Sequence, residues 1–195
     1  MKKRIVRILV VFVVLVMISV AGGSFYLLRF ALSRADEPKG DGLDRVALRE
    51  KEYPEIKPWI DSLQRAHALR DTFIVQADGT KTHALYAWAP RKTNKAAILV
   101  HGYKDRAERM LYLGYVYHHF LGYNVLLPDL HAHGRSEGSD IQMGWKDRKD
   151  VLRWTQVADR LFADSTGHTR QVLHGVSMGA ATVMCVSGEK TPGYV

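Results

Sequence analysis

Gly175-Val176-Ser177-Met178-Gly179 stands between the apolar run Gln171-Val172-Leu173-His174 and an alanine-containing stretch from Met178 to Ser187. A serine with glycine two residues before it and two after it fits a strand-to-helix turn too tight to admit a side chain at either flank. Such a turn pushes the serine out at the carboxyl end of a sheet, where open α/β sheets bind ligands. The chemistry it suggests is nucleophilic attack on an acyl carbon, with Ser177 as nucleophile. A serine hydroxyl is a weak nucleophile unless a histidine accepts its proton and an acid orients that histidine.

Two upstream segments carry further chemical residue types. Leu99-Val100-His101-Gly102-Tyr103 ends an apolar run in a histidine and a glycine, and Asp129-Leu130-His131-Ala132-His133-Gly134-Arg135-Ser136 clusters an acid, two histidines and a serine. Asp129, His131 and His133 have a superficial look of metal ligands, but no further group at ligand spacing accompanies them. His101 reads as a hydrogen-bonded histidine at a strand end rather than a base. Of the adjacent pair His118 and His119, one is expected to pack and one to face water.

In order and spacing these three segments resemble the alpha/beta-hydrolase superfamily, specifically its serine-aminopeptidase-like and lysophospholipase-like branch. The resemblance covers about residues 71 to 187. It implies that the backbone N–H groups of Tyr103 and Met178 form an oxyanion hole, and that Asp129, His133, Gly134 and Ser136 belong to a structural loop beside the active site. His101, Gly102, Gly175 and Gly179 then serve as motif residues. The implied substrate is a small-molecule or peptide acyl compound, an ester, an amide or a peptide, and neither a metal nor a cofactor is implied. In this superfamily the acid and the histidine follow the serine in the chain. After Ser177 there is one acid, Glu189, and no histidine. The expectation is therefore a truncated chain lacking the triad acid and histidine as well as the last strands of the sheet. The alternative is a non-catalytic binding module that keeps the fold.

The elements that position these residues follow from periodicity. Thr72–Gln76 and His83–Trp88 read as strands around the turn dipeptide Asp78-Gly79, giving an antiparallel hairpin. Ala96–Val100, Asn124–Leu127 and Gln171–His174 are short apolar runs that read as strands, the last with an unpaired edge. Helices are expected over Arg106–Leu121, Trp145–Phe162 and Met178–Ser187. In the second of these, Val151, Trp154, Ala158, Leu161 and Phe162 share a face, and Gly122 is a natural left-handed cap for the first. Alternating strands and helices mean a parallel sheet with crossover helices. The predicted fold class is α/β: the N-terminal part of an alpha/beta-hydrolase fold behind one transmembrane helix.

That helix comes from Ile8 to Leu28, a run of 21 uncharged residues, long enough to cross a hydrocarbon core of about 30 Å. Lys2, Lys3, Arg4 and Arg7 before it place the N-terminus in the cytoplasm and the domain on the other side. A cleaved signal peptide is the competing expectation, because Ala21-Gly22-Gly23-Ser24 offers small residues; the protein would then be secreted. The expected division is an anchor over 1–32, a linker over 33–42 with Pro38, Gly40 and Gly42, and a partial hydrolase domain over 43–195. Short surface helices are expected between Leu43 and Leu69.

Composition narrows the partners. The formal charge is +8 over 195 residues, but Lys2, Lys3, Arg4, Arg7, Arg29 and Arg34 lie in or beside the apolar N-terminus. The remainder holds 22 basic against 20 acidic residues, so no nucleic-acid footprint is expected. Cys185 is the only cysteine, which excludes an internal disulfide and a thiolate zinc cluster.

Overall fold

The computed structural model describes residues 2–34, 51–165 and 167–189. Most of the predicted linker, 35–42, and the first part of the predicted surface-helix region, 43–50, lie outside the described residues. The chain divides into two compact units, Met1–Ser33 and Arg34–Val195.

The first unit is helix α1, Lys2–Leu32, 31 residues without a buried side chain. It runs unbroken through Gly22 and Gly23. At 1.5 Å per residue it is about 46 Å long. It is long and apolar enough to cross a membrane.

In the second unit, Pro54–Ile56 forms one 3-10 turn and leads into α2, Lys57–Arg65. Pro54 and Pro58 both fall in first turns, where a missing N–H leaves no bond unmade. Ile56, Trp59, Ile60 and Leu63 are buried, which is the helical spacing of one apolar face. The hairpin follows as β1, Arg70–Val75, and β2, Lys81–Ala87. Gly79 supplies the left-handed residue of its turn at φ 86°, and the Thr80 N–H donates to Asp78 Oδ1 at 2.9 Å. Next come β3, Lys95–Val100, and β4, Asn124–Pro128. Helix α4 is Asp147–Phe162, β5 is Arg170–Gly175 and α5 is Met178–Ser187.

The five strands lie in the order β1-β2-β4-β3-β5. β1 and β2 are antiparallel, β2 meets β4 antiparallel, and β3 runs parallel to both β4 and β5. Because side chains alternate across a strand, β3 serves two cores. Ala96, Ile98 and Val100 join Leu126, Trp154, Ala158 and Met178 on one face, while Ala97 and Leu99 join Trp59, Ile60, Leu111 and Leu127 on the other. Covering on both faces is what the uninterrupted apolar runs of parallel strands require. The predicted face of α4 holds, with Val151, Trp154, Ala158 and Phe162 buried and Leu161 half-buried.

The predicted helix over 106–121 is a composite. It begins as a 3-10 turn, Ala107–Met110, continues as α3, Leu111–Tyr115, and widens into a π turn, Val116–Phe120. Its first N–H, that of Ala107, is taken by Asp129 Oδ1 at 2.7 Å. In the widened turn His118 accepts the Trp59 indole N–H on Nδ1 at 3.0 Å and faces the Trp88 carbonyl with Nε2 at 2.9 Å. His119 stays exposed. Gly122 closes the segment at φ 67°.

Candidate active site

β5 passes into α5 through Val176 and Ser177. Ser177 has φ 54° and ψ −118°, a left-handed backbone that an L-residue rarely adopts, and its side chain is exposed. Glycine is needed on both sides for a steric reason visible in the coordinates. A Cβ on Gly175 would press into the Gly179 carbonyl and lie 2.5 Å from the Ala180 nitrogen. A Cβ on Gly179 would collide with the Val100 carbonyl. The turn is tied to the sheet by the Val176 N–H donating to Val100 O at 3.0 Å, and to its helix by the Ala180 N–H donating to Ser177 O at 2.9 Å.

The loop after β3 closes on this serine. A Cβ on Gly102 would lie 3.3 Å from Ser177 Cβ and 3.9 Å from Ser177 Oγ, so the backbone that continues into Tyr103 passes beside the hydroxyl. Gly102 to Asp105 makes a turn closed by the Asp105 N–H on Gly102 O at 3.3 Å. Met178, the next residue after Ser177, is buried and opens α5. The sequence motifs therefore meet: Ser177, Gly102 with its neighbour Tyr103, and Met178 gather at the carboxyl ends of β3 and β5. The arrangement presents a hydroxyl to solvent beside backbone amides at a helix N-terminus.

The loop after β4 does not reach the serine with its acid. Asp129 is 1% exposed, and its oxygens accept the N–H groups of Ala107 at 2.7 Å and Arg135 at 2.9 Å and face His83 Nδ1 at 2.7 Å. Burial alone would raise this carboxyl. The hydrogen bond from His83, the electrostatic pull of the His83 and His101 rings and the Ala107 N–H outweigh it and hold the group below the usual carboxylate range. Gly134, at φ 49°, leaves the space that the Asp129 carboxylate fills. Ser136 Oγ accepts the His83 N–H at 2.9 Å and donates to Asp129 O at 2.7 Å. Asp129, Gly134 and Ser136 are consumed in holding the shape of this loop.

Two histidines join this loop to the loop after β3. His101 Nε2 accepts the Leu130 N–H at 2.9 Å, and His133 Nε2 accepts the Lys104 N–H at 3.1 Å. Both rings are fully buried. Burial, with the neighbouring His101, pushes His133 down to about 4. His118 is lowered for the same first reason, burial, with His119 adding to it.

Sequence reasoning passed over His83, the ring partner of Asp129. Its signal was a histidine within a strand that is otherwise buried, β2, which pairs directly with the β4 strand leading into the acid's own loop. β2 and β5 are separated by β4 and β3, so at about 4.8 Å per strand they lie about 14 Å apart, too far for His83 to serve Ser177.

No family profile matches the chain. Over 104 residues it is 30% identical to the uncharacterized protein YqkD of Bacillus subtilis, a match covering 53% of this chain and 32% of that protein. Among solved structures it is similar to the Pyrococcus furiosus esterase Pf2001, with a TM-score of 0.53 and 26% identity over 66% of this chain and 49% of the esterase. It is similar in fold to the Est1E protein of Butyrivibrio proteoclasticus, solved with ferulic acid bound, at a TM-score of 0.51 and 21% identity over 60% of this chain and 46% of that one. The chain spans less than half the length of each.

Proposed function

From the alpha/beta-hydrolase fold of the second unit, we propose that Ser177 is the nucleophile of a membrane-anchored serine hydrolase that cleaves an ester, amide or peptide through an acyl-enzyme. The observation that carries this reading is the strained, exposed backbone of Ser177 between two glycines that admit no Cβ, with the Gly102 backbone beside its hydroxyl. Backbone strain of this kind, about 1–3 kcal/mol, persists where the surroundings enforce it and is concentrated at working sites.

In the proposed reaction Ser177 Oγ attacks the acyl carbon, its proton passes to a base, and the carbonyl oxygen takes up negative charge. The N–H groups of Tyr103 and Met178 receive that oxyanion. Each such donor contributes about 3–4 kcal/mol to lowering the barrier. Collapse of the intermediate expels the leaving group and forms the Ser177 ester, which water then hydrolyses. The buried histidines offer no base, since the rings of His83, His101, His118 and His133 are each bonded on both nitrogens or enclosed. In this reading none of these four rings is the base. The D-x-x-x-H-G-x-S pattern of Asp129 to Ser136 supports placement in the serine-aminopeptidase-like and lysophospholipase-like branch.

Helix α1 is proposed as the retained anchor, with Lys2, Lys3, Arg4 and Arg7 on the cytoplasmic side and the domain, from residue 43 after a linker of 33–42, on the other. Carbonate-resistant membrane association and cleavage of the domain by protease added outside the cell are expected. A soluble product shortened by some 20 residues would show a signal peptide instead.

The test of the reaction is a fluorophosphonate probe applied to the protein produced from its own gene, beside a Ser177→Ala variant. Labelling that disappears with Ser177→Ala is expected. A wild-type protein that stays unlabelled would leave the fold as a binding module.

A further inference from the structure

We infer that His101 and His133 form a reciprocal stitch that sets the turn carrying the Tyr103 N–H, making His133 a positioning residue for the proposed oxyanion hole; the inference rests on the hydrolase reading above. Each histidine belongs to one loop and accepts a backbone N–H from the other. His101 ends β3 and takes the Leu130 N–H at 2.9 Å; His133 follows β4 and takes the Lys104 N–H at 3.1 Å.

The protonation state follows from the bonding. An amide N–H only donates, so each Nε2 must present a lone pair. Each Nδ1 then carries the proton and donates to a carbonyl, Gly102 O at 2.8 Å for His101 and His131 O at 2.8 Å for His133. Both rings are neutral, in one tautomer. Their centroids lie 5.0 Å apart, and two charged imidazoles at that separation inside a core would repel strongly.

The bond to Lys104 falls where the turn needs support. Lys104 has φ 52°, a conformation uncommon for a residue with a side chain. The turn is closed internally by one long bond, Asp105 N–H to Gly102 O at 3.3 Å. The His133 bond fixes the peptide between Tyr103 and Lys104, and the His101 bond to Gly102 O fixes the peptide that bears the Tyr103 N–H. Between them the two rings set both peptide planes flanking Tyr103.

Protonating His133 removes its acceptor. The groups that face it are His101, Asp129 of its own loop and Arg34, whose guanidinium donates to the Gly134 and Ser136 carbonyls. Desolvation, the adjoining His101 ring and the charge of Arg34 favour the neutral form of His133, and Asp129 opposes them.

The test uses the protein produced from its own gene, purified in detergent, with two variants. His133→Leu keeps bulk and loses the acceptor. His133→Gln keeps an acceptor, the amide oxygen, that does not titrate. Hydrogen exchange of the Lys104 amide and the rate of fluorophosphonate labelling are read together, with strand amides of Ile98 and Leu126 as the measure of overall stability. At least tenfold faster Lys104 exchange and at least tenfold slower labelling are expected in His133→Leu, with Ile98 and Leu126 still protected. His133→Gln should restore both. Unchanged Lys104 exchange, or labelling that ignores His133→Leu while the wild type labels, overturns the stitch alone. A wild type that never labels refutes the hydrolase reading, and the catalytic meaning of the stitch falls with it.

Discussion

Gly179 is packed against the end of β3: a Cβ there would strike the Val100 carbonyl and lie 2.5 Å from that of His101. Both obstacles are backbone, so neither can swing aside, and the start of α5 would have to move away from the sheet.

Gly179→Ala is therefore expected to cost about 3 kcal/mol, the upper range for overpacking a core. Gly188→Ala is the control, because its added Cβ meets nothing closer than 3.6 Å and alanine is the better helix former. Urea unfolding of both variants in detergent checks the difference. Equal midpoints would mean that the turn yields to the added methyl.

Asp129→Asn removes the charge on which three donors converge and replaces one oxygen by an NH2 group that cannot accept. At least one of the Ala107 N–H, the Arg135 N–H and the His83 ring loses its partner. A loss of about 3 kcal/mol is expected, the scale of a buried charged hydrogen bond with an orphaned donor. Equilibrium unfolding at pH 7 measures it, and a loss below about 1 kcal/mol would show the network to be redundant.

Acid should weaken the fold through His133. Its folded value of about 4 lies below the ordinary 6.5, so between those values the unfolded chain binds a proton that the folded chain refuses. Stability is then fully present above about pH 6.5 and declines as pH falls toward 4, by up to about 3 kcal/mol. His118 acts in the same direction. Unfolding midpoints of wild type and His133→Gln between pH 7 and 4.5 check this; the variant should show the shallower fall.

Asp150 should act in the opposite sense. It lies in the first turn of α4 beside a surface cleft of about 310 Å³ shared with Gln76, Lys149 and Arg153. Burial, then the charges of Asp147 and Asp78, push its carboxyl up to about 7 from 3.8. Between those values the folded chain holds the extra proton, so this contribution is present at low pH and lost as pH rises through about 7. Asp150→Asn should melt higher than wild type at pH 8 and gain nothing at pH 3.5. Thermal scans at the two values decide it.

What was legible in the sequence follows a physical division. Strands β3 and β4 were readable because burial on both faces forces continuous apolar runs, β5 because its short apolar run stands directly before the elbow although at the sheet edge it is only half-buried, and Gly175 and Gly179 because a sterically closed turn around Ser177 leaves glycine as the sole solution. Gly79 and Gly122 were readable for a different reason: both have open space around them, and it is their positive φ that favours glycine. The helix over 106–121 was read as uniform because periodicity records which faces are apolar, not hydrogen-bond spacing. The 3-10 start depends on Asp129, 22 residues away from Ala107 in sequence. The reciprocal bonds of His101 and His133 were equally hidden, since each ends on a backbone N–H and any residue type supplies one.

Ser177 pays in its own backbone for the place it occupies. At φ 54° and ψ −118° glycine is the residue that would sit there at ease, and every other L-residue there carries the strain. Ser177→Gly is thus expected to fold more tightly than Ser177→Ala, and the difference in unfolding midpoint measures the strain. The hydroxyl therefore stands at a position where the molecule's own thermodynamic preference is for glycine.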